Sequence, residues 1–595
     1  MDSAGRGAPT LTGSTDFRCR LRVPLWLLPF LWTVALGLWG LSREDSVWRD
    51  EAATWQVALR STGDITRMLE NVDVVHALYY LFVHALFECF GPSTTVLRLP
   101  SVLATAVGAA CVAELGRRLC GTSAALGGGF AFGLLPAVQF YLQEGRPYAL
   151  VAAGSGLSTL VLVALLQGRR KRWAYWTAYG CTVLVCGLLN WLSLLILPAH
   201  LATLVWAGAE RGTWARWAAV STAAAAGAAP LVLFSSAQSG QVSWIPPLAW
   251  HMLIGPAVLL VIAGIGTLVE PPPAGRLPAA AVGLPLLAVP QLALLGISLV
   301  KPLFVDRYVL FSLLGEALLI GVLLSAFARA VRRRSWRAAR WVLPVAVLLA
   351  SVALAPQALA KRSPGSRVDD VMAAAAQVER VTHSGDAVLF VPAARRDTRL
   401  VSPHAFTGLR DIALRESPES SGTLKGVEWH AARIRAELLA LDRVVLVTDA
   451  GEVSRPLRSA RDRTKISTLR EHFRPVADAQ LRGRRVTVYE RRPPGRPSRP
   501  PAPGPGGLLA APPVRQDAAA RDVAVPRTAP RPRHGAHHPG GARVSLRNPG
   551  SARVHRGAVE SPRVRGVPPC CHGLLWGGWD SNPRPTDYES AALTG

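Results

Sequence analysis

The sequence predicts an all-α polytopic membrane domain followed by a small α/β domain and a disordered tail. Three observations predict this. Half of the 595 residues are hydrophobic, and they gather into blocks of membrane-crossing length between residues 23 and 360. From 361 to 490 helical periodicity alternates with short β-branched runs. After 491 the chain is rich in Arg, Pro, Gly and Ala, holds no lysine and lacks apolar periodicity, so it cannot bury a core.

Residues 1–22 form a basic N-terminal segment, with Arg18, Arg20 and Arg22 favouring the cytoplasm. The first apolar block, 23–41, lacks an Ala-x-Ala-like cleavage site and reads as a retained signal anchor. The loop at 42–73 collects Glu44, Asp45, Asp50, Glu51, Asp64, Glu70 and Asp73. Carboxylates are expensive in lipid, so this first loop belongs in water at the membrane face. Further apolar blocks lie at 74–90, 98–116, 121–140, 147–167, 174–190, 192–208, 217–235, 248–269, 278–300, 303–329 and 340–360. With the first block they amount to about twelve spans.

Basic loops set the orientation. Arg332 to Arg340, the cluster at 169–172 and Arg117-Arg118 belong on the cytoplasmic face. That puts the loops at 144–148, 238–247 and 301–308, Asn190 and everything after Lys361 outside. Twelve crossings with an outer C-terminal part would leave the N-terminal arginines outside as well. Either one block is re-entrant or one contains two short helices, with 74–145 the segment in question; about 12–13 spans are expected.

In the outer part, a helix at 368–381 precedes a strand at 387–391, and a helix at 431–441 precedes a strand at 443–448. A last strand covers 485–489. The tail at 491–595 has a second reading: GC-rich DNA translated past a stop yields such text, and Trp579 to Ser590 resembles peptides from frames that run into a transfer-RNA gene.

A net charge of +27 would suggest nucleic acid in a soluble protein. Here much of it sits in short loops between apolar blocks, which membrane orientation explains, so no nucleic acid is expected. The eight cysteines show no metal-ligand spacing and mostly lie in or beside apolar blocks, as small hydrophobes.

Five motifs occur in order. They are Arg49-Asp50-Glu51-Ala52-Ala53-Thr54, His76-Ala77-Leu78-Tyr79-Tyr80-Leu81, and Phe90-Gly91-Pro92-Ser93 with Leu97-Arg98-Leu99-Pro100-Ser101. Gln143-Glu144-Gly145-Arg146-Pro147-Tyr148 and Asp306-Arg307-Tyr308 complete the set. Each alone is common; their order and spacing across about 20–360 resemble the polytopic C-type (GT-C) glycosyltransferases that use polyprenyl-phosphate sugars. The bacterial relatives of protein O-mannosyltransferases and of the lipid A aminoarabinose transferase are the most similar. Ala77 departs from the pattern, where a proline is usual.

The resemblance implies a GT-C-like transmembrane domain at 23–360, an extracytoplasmic domain at 361–490, and plasma-membrane residence with an extracytoplasmic active face. It implies transfer of a hexose, such as mannose, from a polyprenyl-phosphate donor to a hydroxyl of a protein, lipid or wall polymer. Asp50 matches the family's catalytic aspartate, and Glu51 would position acceptor or base. A carboxylate suits the removal of a hydroxyl proton. The departing lipid phosphate needs cations and donors, for which His76, Arg98, Arg146, Tyr148, Arg307 and Tyr308 are candidates. Trp244 is a candidate for stacking on the sugar or lipid. Each has a plainer alternative. The acidic pair favours a helix N-terminus, and Tyr, Trp and Arg anchor at membrane interfaces. Glu144 would neutralise Arg146, and His200 would be a buried hydrogen-bonding residue. No metal site stands out and no cofactor is required, although Asp50-Glu51 could hold a divalent ion beside phosphate. Two other readings compete: a transporter or lipid flippase using Glu88, Glu114 and Glu316, and a scaffold without activity.

Overall fold

The structure, a computed structural model, describes residues 24–168, 173–238, 245–270 and 277–493. The N-terminal arginines, the cluster at 169–172, Trp244 and the chain from 494 onward lie outside the described residues.

The first helix, α1 (Leu27–Leu38), leads to α2 (Arg49–Ala58), α3 (Thr62–Asn71) and α4 (Ala77–Phe90). A helical bundle follows: α5 (Thr94–Leu119), α6 (Thr122–Leu134), α7 (Pro136–Tyr141), α8 (Tyr148–Leu166), α9 (Trp173–Leu189) and α10 (Ile196–Trp206). Then come α11 (Arg211–Ala237), α12 (Ile254–Leu268), α13 (Ala280–Val300), α14 (Leu313–Arg334) and α15 (Trp336–Lys361). Among the described residues, seven helices are long and apolar enough to cross a membrane. They are α5, α8, α11, α13 and α15, together with α12 and α14 and the 3-10 turns that lead into them.

Close packing in the bundle depends on small residues. A Cβ on Gly128 of α6 would lie 2.9 Å from the Ala317 carbonyl oxygen of α14. One on Gly321 of α14 would lie 2.5 Å from the Ala124 carbonyl oxygen. Lipid offers no hydrophobic drive between helices, so such backbone approach supplies the contact energy. His200, as expected, is buried and hydrogen-bonded, 2.8 Å from the Tyr179 hydroxyl and 3.0 Å from the Thr159 hydroxyl.

The contacts sort the helix ends into two sets. At one end, Gln143 Nε2 donates to the Gly37 and Trp39 carbonyls at 2.8 and 2.7 Å, and Arg362 donates to Trp39 at 3.0 Å. Gln238, just after α11, donates to Leu69 and accepts from Val74. At the other end, Glu270 accepts from the Ala279 and Ala280 amides that open α13 and lies beside Cys120 at the end of α5. Glu114 pairs there with Arg117 and Arg118.

The sequence block 74–90 does not run between these ends. α4 starts beside Gln238, packs Phe87 edge-on to Trp55 of α2 at 5.2 Å, and is followed by Thr94, whose hydroxyl donates to Asp45. Both its ends therefore meet the first loop, as the re-entrant alternative requires. The block 121–140 is also divided, because Pro136 opens the separate six-residue α7.

The α/β domain begins with α16 (Val371–Val381), β1 (Ala387–Val391), α17 (Asp397–Val401), β2 (Arg410–Asp411), β3 (Leu414–Glu416) and β4 (Val427–Glu428). It continues with α18 (Ala431–Leu439), β5 (Arg443–Asp449), α19 (Ala460–His472), β6 (Phe473–Gln480) and β7 (Arg484–Arg491). The main sheet has the order β2-β1-β5-β7-β6, with β1 parallel to β2 and β5, and β7 antiparallel to β5 and β6. Alternation puts Val388, Phe390, Val445 and Val447 against Ala375 and Val378 of α16. Leu389, Val444 and Leu446 face Ile434, Leu438 and Leu469 of α18 and α19.

Candidate active site

α2 carries Asp50 and Glu51 in its first turn, where acidic side chains meet the helix's positive end. Successive helical residues point about 100° apart, so the two carboxylates take different surroundings.

Glu51 turns into the protein. Arg98 of α5 grips it through Nε to Oε1 at 2.8 Å and Nη2 to Oε2 at 2.7 Å, with both side chains fully buried. The Gly145 amide donates to the same carboxylate at 3.1 Å, and Arg43 Nη1 lies 3.7 Å away. Burial alone would raise the pKa of Glu51, but the Arg98 and Arg43 charges outweigh it and hold the group at about 2. The other Arg98 donors go to the Leu41, Ser42 and Ser46 carbonyls. Arg98 is thus spent on the protein, because a guanidinium with every nitrogen engaged has none for a phosphate. It ties α5 to the first loop. Arg43 itself enters from a left-handed turn, with φ of 52°, 55° and 58° at Arg43, Glu44 and Asp45. Such geometry costs roughly 1–2 kcal/mol per residue. The Arg43–Gln143 and Thr94–Asp45 hydrogen bonds brace the turn.

Asp50 faces two guanidiniums. Arg307 Nη1 donates to Oδ2 at 2.9 Å, and Arg146 Nη2 lies 3.9 Å from the same oxygen. Arg307 stands in a 3-10 turn, Asp306–Ser312, and its guanidinium lies 5.6 and 5.9 Å from the Tyr148 and Tyr308 ring centres. Asp306 accepts from the Arg307 amide at 2.8 Å and from the Tyr141 hydroxyl at 2.9 Å, which anchors the turn. Asp50, Arg146, Tyr148, Arg307 and Tyr308, far apart in sequence, share this one place.

His76 stands beside it in a third polar group. Its Nδ1 is 3.0 Å from Asp73 Oδ1, and its ring stacks on Tyr80, whose hydroxyl donates to Asp73 Oδ2. Burial would raise the pKa of Asp73, but His76, Arg146 and the Tyr80 hydrogen bond bring it down to about 2.

Glu144 does not pair with Arg146. The Arg146 amide donates to the Glu144 carbonyl at 2.8 Å, a three-residue turn that throws the two side chains apart. A Cβ on Gly145 would fall 2.5 Å from the Leu97 side chain, so glycine lets the turn pack directly against that buried residue. Arg146 reaches Thr54 at 3.5 Å as well as Asp50, while both Glu144 carboxylate oxygens are buried without a hydrogen-bond partner. Burial pushes the Glu144 pKa up to about 7 despite the charges of Arg367 and Arg307.

Trp244 lies outside the described residues. Arg43, Tyr79, Tyr141 and Asp306 are site neighbours that motif reading passed over. Only Tyr79 and Asp306 had a signal, each standing inside a quoted motif. Among the described residues, no group of three or more His, Cys, Asp or Glu could hold a metal ion.

No family model and no curated protein matches the sequence. Solved structures do. ArnT from Cupriavidus metallidurans in the apo state superposes with a TM-score of 0.52 at 13% identity, covering 78% of this chain and 97% of that one. The same protein bound to undecaprenyl phosphate gives 0.47 at 13%, covering 78% and 98%. The archaeal oligosaccharyltransferase AglB from Archaeoglobus fulgidus, with an inhibitory peptide and a dolichol-phosphate, gives 0.42 at 13%, covering 71% and 69%. The likeness to apo ArnT carries the fold: a GT-C-like helical membrane domain followed by a small α/β domain.

Proposed function

We propose that this protein is an integral-membrane glycosyltransferase that moves a hexose, mannose being the first to test, from a polyprenyl-phosphate carrier to an acceptor hydroxyl. The observation that carries the reading is the buried Asp50 carboxylate between Arg307 and Arg146, at one end of an apolar bundle. ArnT, whose fold the chain shares, has been solved with undecaprenyl phosphate bound.

In this reaction the acceptor oxygen attacks the anomeric carbon as the bond from that carbon to the phosphate oxygen breaks. Asp50 takes the hydroxyl proton. Charge grows on the departing lipid phosphate, and Arg307, Arg146 and His76 meet it. Arg307 therefore exchanges Asp50 for phosphate when the donor arrives, which frees the carboxylate to act as base. Glu51 and Arg98 position α2 and touch no substrate. The reaction requires no metal or other cofactor.

Arg117, Arg118 and Arg332–Arg334 lie at the end of the bundle away from the site, which the positive-inside rule assigns to the cytoplasm. The site end and the α/β domain then face outside, across the plasma membrane. With α4 re-entrant the crossings become odd in number, which also returns the N-terminal arginines to the cytoplasm.

The test is to incubate purified protein in liposomes with radiolabelled polyprenyl-phosphate hexoses and envelope acceptors. Transfer of label by the wild type and none by Asp50→Asn is the expected result. Turnover by Asp50→Asn at the wild-type rate would overturn the assignment.

A further inference from the structure

Glu144 is a buried carboxylate in the loop before α8 that the proposed chemistry leaves unused. It is 1% exposed, and neither oxygen has a hydrogen-bond partner. Its loop is nonetheless fixed. Ser101 Oγ donates to the Glu144 carbonyl at 2.6 Å, and the next amide, Gly145, donates to Glu51 at 3.1 Å. The charges acting on Glu144 are those of Arg367, Arg307, Glu51 and Asp50, so the side chain lies beside the reaction centre. Neither arginine bonds to it: Arg307 holds Asp50, and Arg367 donates to the Phe140 carbonyl at 2.8 Å with its guanidinium over the Phe140 ring.

A second buried orphan borders the same place from another element. The Tyr79 hydroxyl of α4 is without a partner, the residue is fully buried, and its electrostatic neighbours are Arg146, Glu51, Glu144 and Tyr148. Unsatisfied buried polar atoms are rare in native proteins, and a pair of them beside a reaction centre calls for a ligand that completes them. The chemistry narrows that ligand. A carboxylate repels a phosphate, and arginines already serve one. A carboxylate and a phenol together suit neighbouring hydroxyls, each of which donates one hydrogen bond and accepts another.

We infer that Glu144 and Tyr79 bind ring hydroxyls of the donor's sugar, while Arg146 and Arg307 hold its phosphate. The inference rests on the glycosyltransferase reading and adds where the sugar is recognised.

The experiment measures binding to the purified full-length protein of bare undecaprenyl phosphate and of undecaprenyl phosphate carrying mannose, glucose or galactose. Wild type should bind at least one sugar-bearing lipid more tightly than the bare one. Glu144→Gln and Tyr79→Phe, near-isosteric changes that leave the turn and the ring in place, should each weaken the preferred sugar-lipid about tenfold or more. Both should keep bare-lipid affinity within about twofold, because neither side chain is hydrogen-bonded to Arg146 or Arg307 and neither substitution breaks a contact that positions them. Equal weakening for bare and sugar-bearing lipid would overturn the inference, as would a wild type that binds bare lipid and gains nothing from any sugar. A wild type that binds none of these lipids above phosphatidylcholine would overturn the proposed function and the inference with it.

Discussion

Asp369 accepts a hydrogen bond from the Arg49 backbone amide at 3.0 Å and a second from the Arg49 guanidinium at 3.0 Å, across 320 residues of sequence. It thereby caps the helix that carries Asp50. Trp48, the residue at the cap position of α2, supplies no side-chain cap of its own. Arg484 of β7 holds Asp369 from behind at 2.9 Å, and the Val371 amide donates to the Val47 carbonyl at 2.8 Å. The α/β domain is therefore built onto the helix that presents Asp50.

Asp369→Ala should cost both stability and turnover. It removes a cap, worth about 1 kcal/mol, and takes from the buried Arg484 one of its two carboxylate partners, Asp397 remaining at 2.7 Å, so the expected loss is about 2–4 kcal/mol. Asp442→Ala, at a side chain 98% exposed, should stay within about 0.5 kcal/mol of wild type. Thermal melting in detergent, followed by turnover per folded molecule, separates the two effects. An Asp369→Ala protein as stable and active as wild type would sink the capping argument.

Glu51→Gln should change how stability depends on pH. The native pKa of about 2 lies below the ordinary 4.5, so the ionised group favours the folded state above about pH 4.5. That contribution is lost as pH falls from 4.5 towards 2. Melting curves across this window should drop less steeply for Glu51→Gln than for wild type, although the variant starts lower because Arg98 is left unpaired.

Glu144→Gln has the opposite sign. The native pKa of about 7 lies above 4.5, so the protonated group favours folding below 4.5 and that advantage is lost as pH rises through 7. Between pH 5 and 8 the wild type should lose stability that Glu144→Gln retains. Parallel curves for the two proteins would mean that Glu144 is ionised throughout.

Arg307→Lys should be nearly as damaging to turnover as Arg307→Ala. A lysine keeps the charge but lacks the planar fork that reaches Asp50 while lying beside Tyr148 and Tyr308. Both variants should lose about a hundredfold in kcat/KM or more, the scale of one removed charge-stabilising donor. A lysine variant within threefold of wild type would show that charge alone suffices.

Gly128→Ala should loosen the bundle, because the new methyl would press on the Ala317 carbonyl in α14. A loss of about 1–3 kcal/mol follows from overpacking. Gly264→Ala, where nothing lies within 4 Å, should melt like wild type. Two indistinguishable melting curves would remove the close helix contact from the argument.

What the sequence by itself determined was local. Apolar blocks of bilayer length and the alternation of helix with β-branched strand act over a few residues, so the helical membrane class, the α/β domain and the basic end of the bundle were readable directly. The five motifs marked Asp50, Arg146, Tyr148 and Arg307 as candidates. Only the tertiary structure decided how the charges are shared. Neighbouring Asp50 and Glu51 diverge because a helix turns, so one meets Arg307 and the other is consumed by Arg98. Glu144 and Arg146 part because a glycine turn separates them. α4 looks like a span because it is apolar, and it returns to the same end because α2 supplies it a partner other than lipid. Asp369 reaches Arg49 through contacts that no local pattern encodes. Pairings between distant residues depend on where a whole fold delivers them, and that is settled by packing.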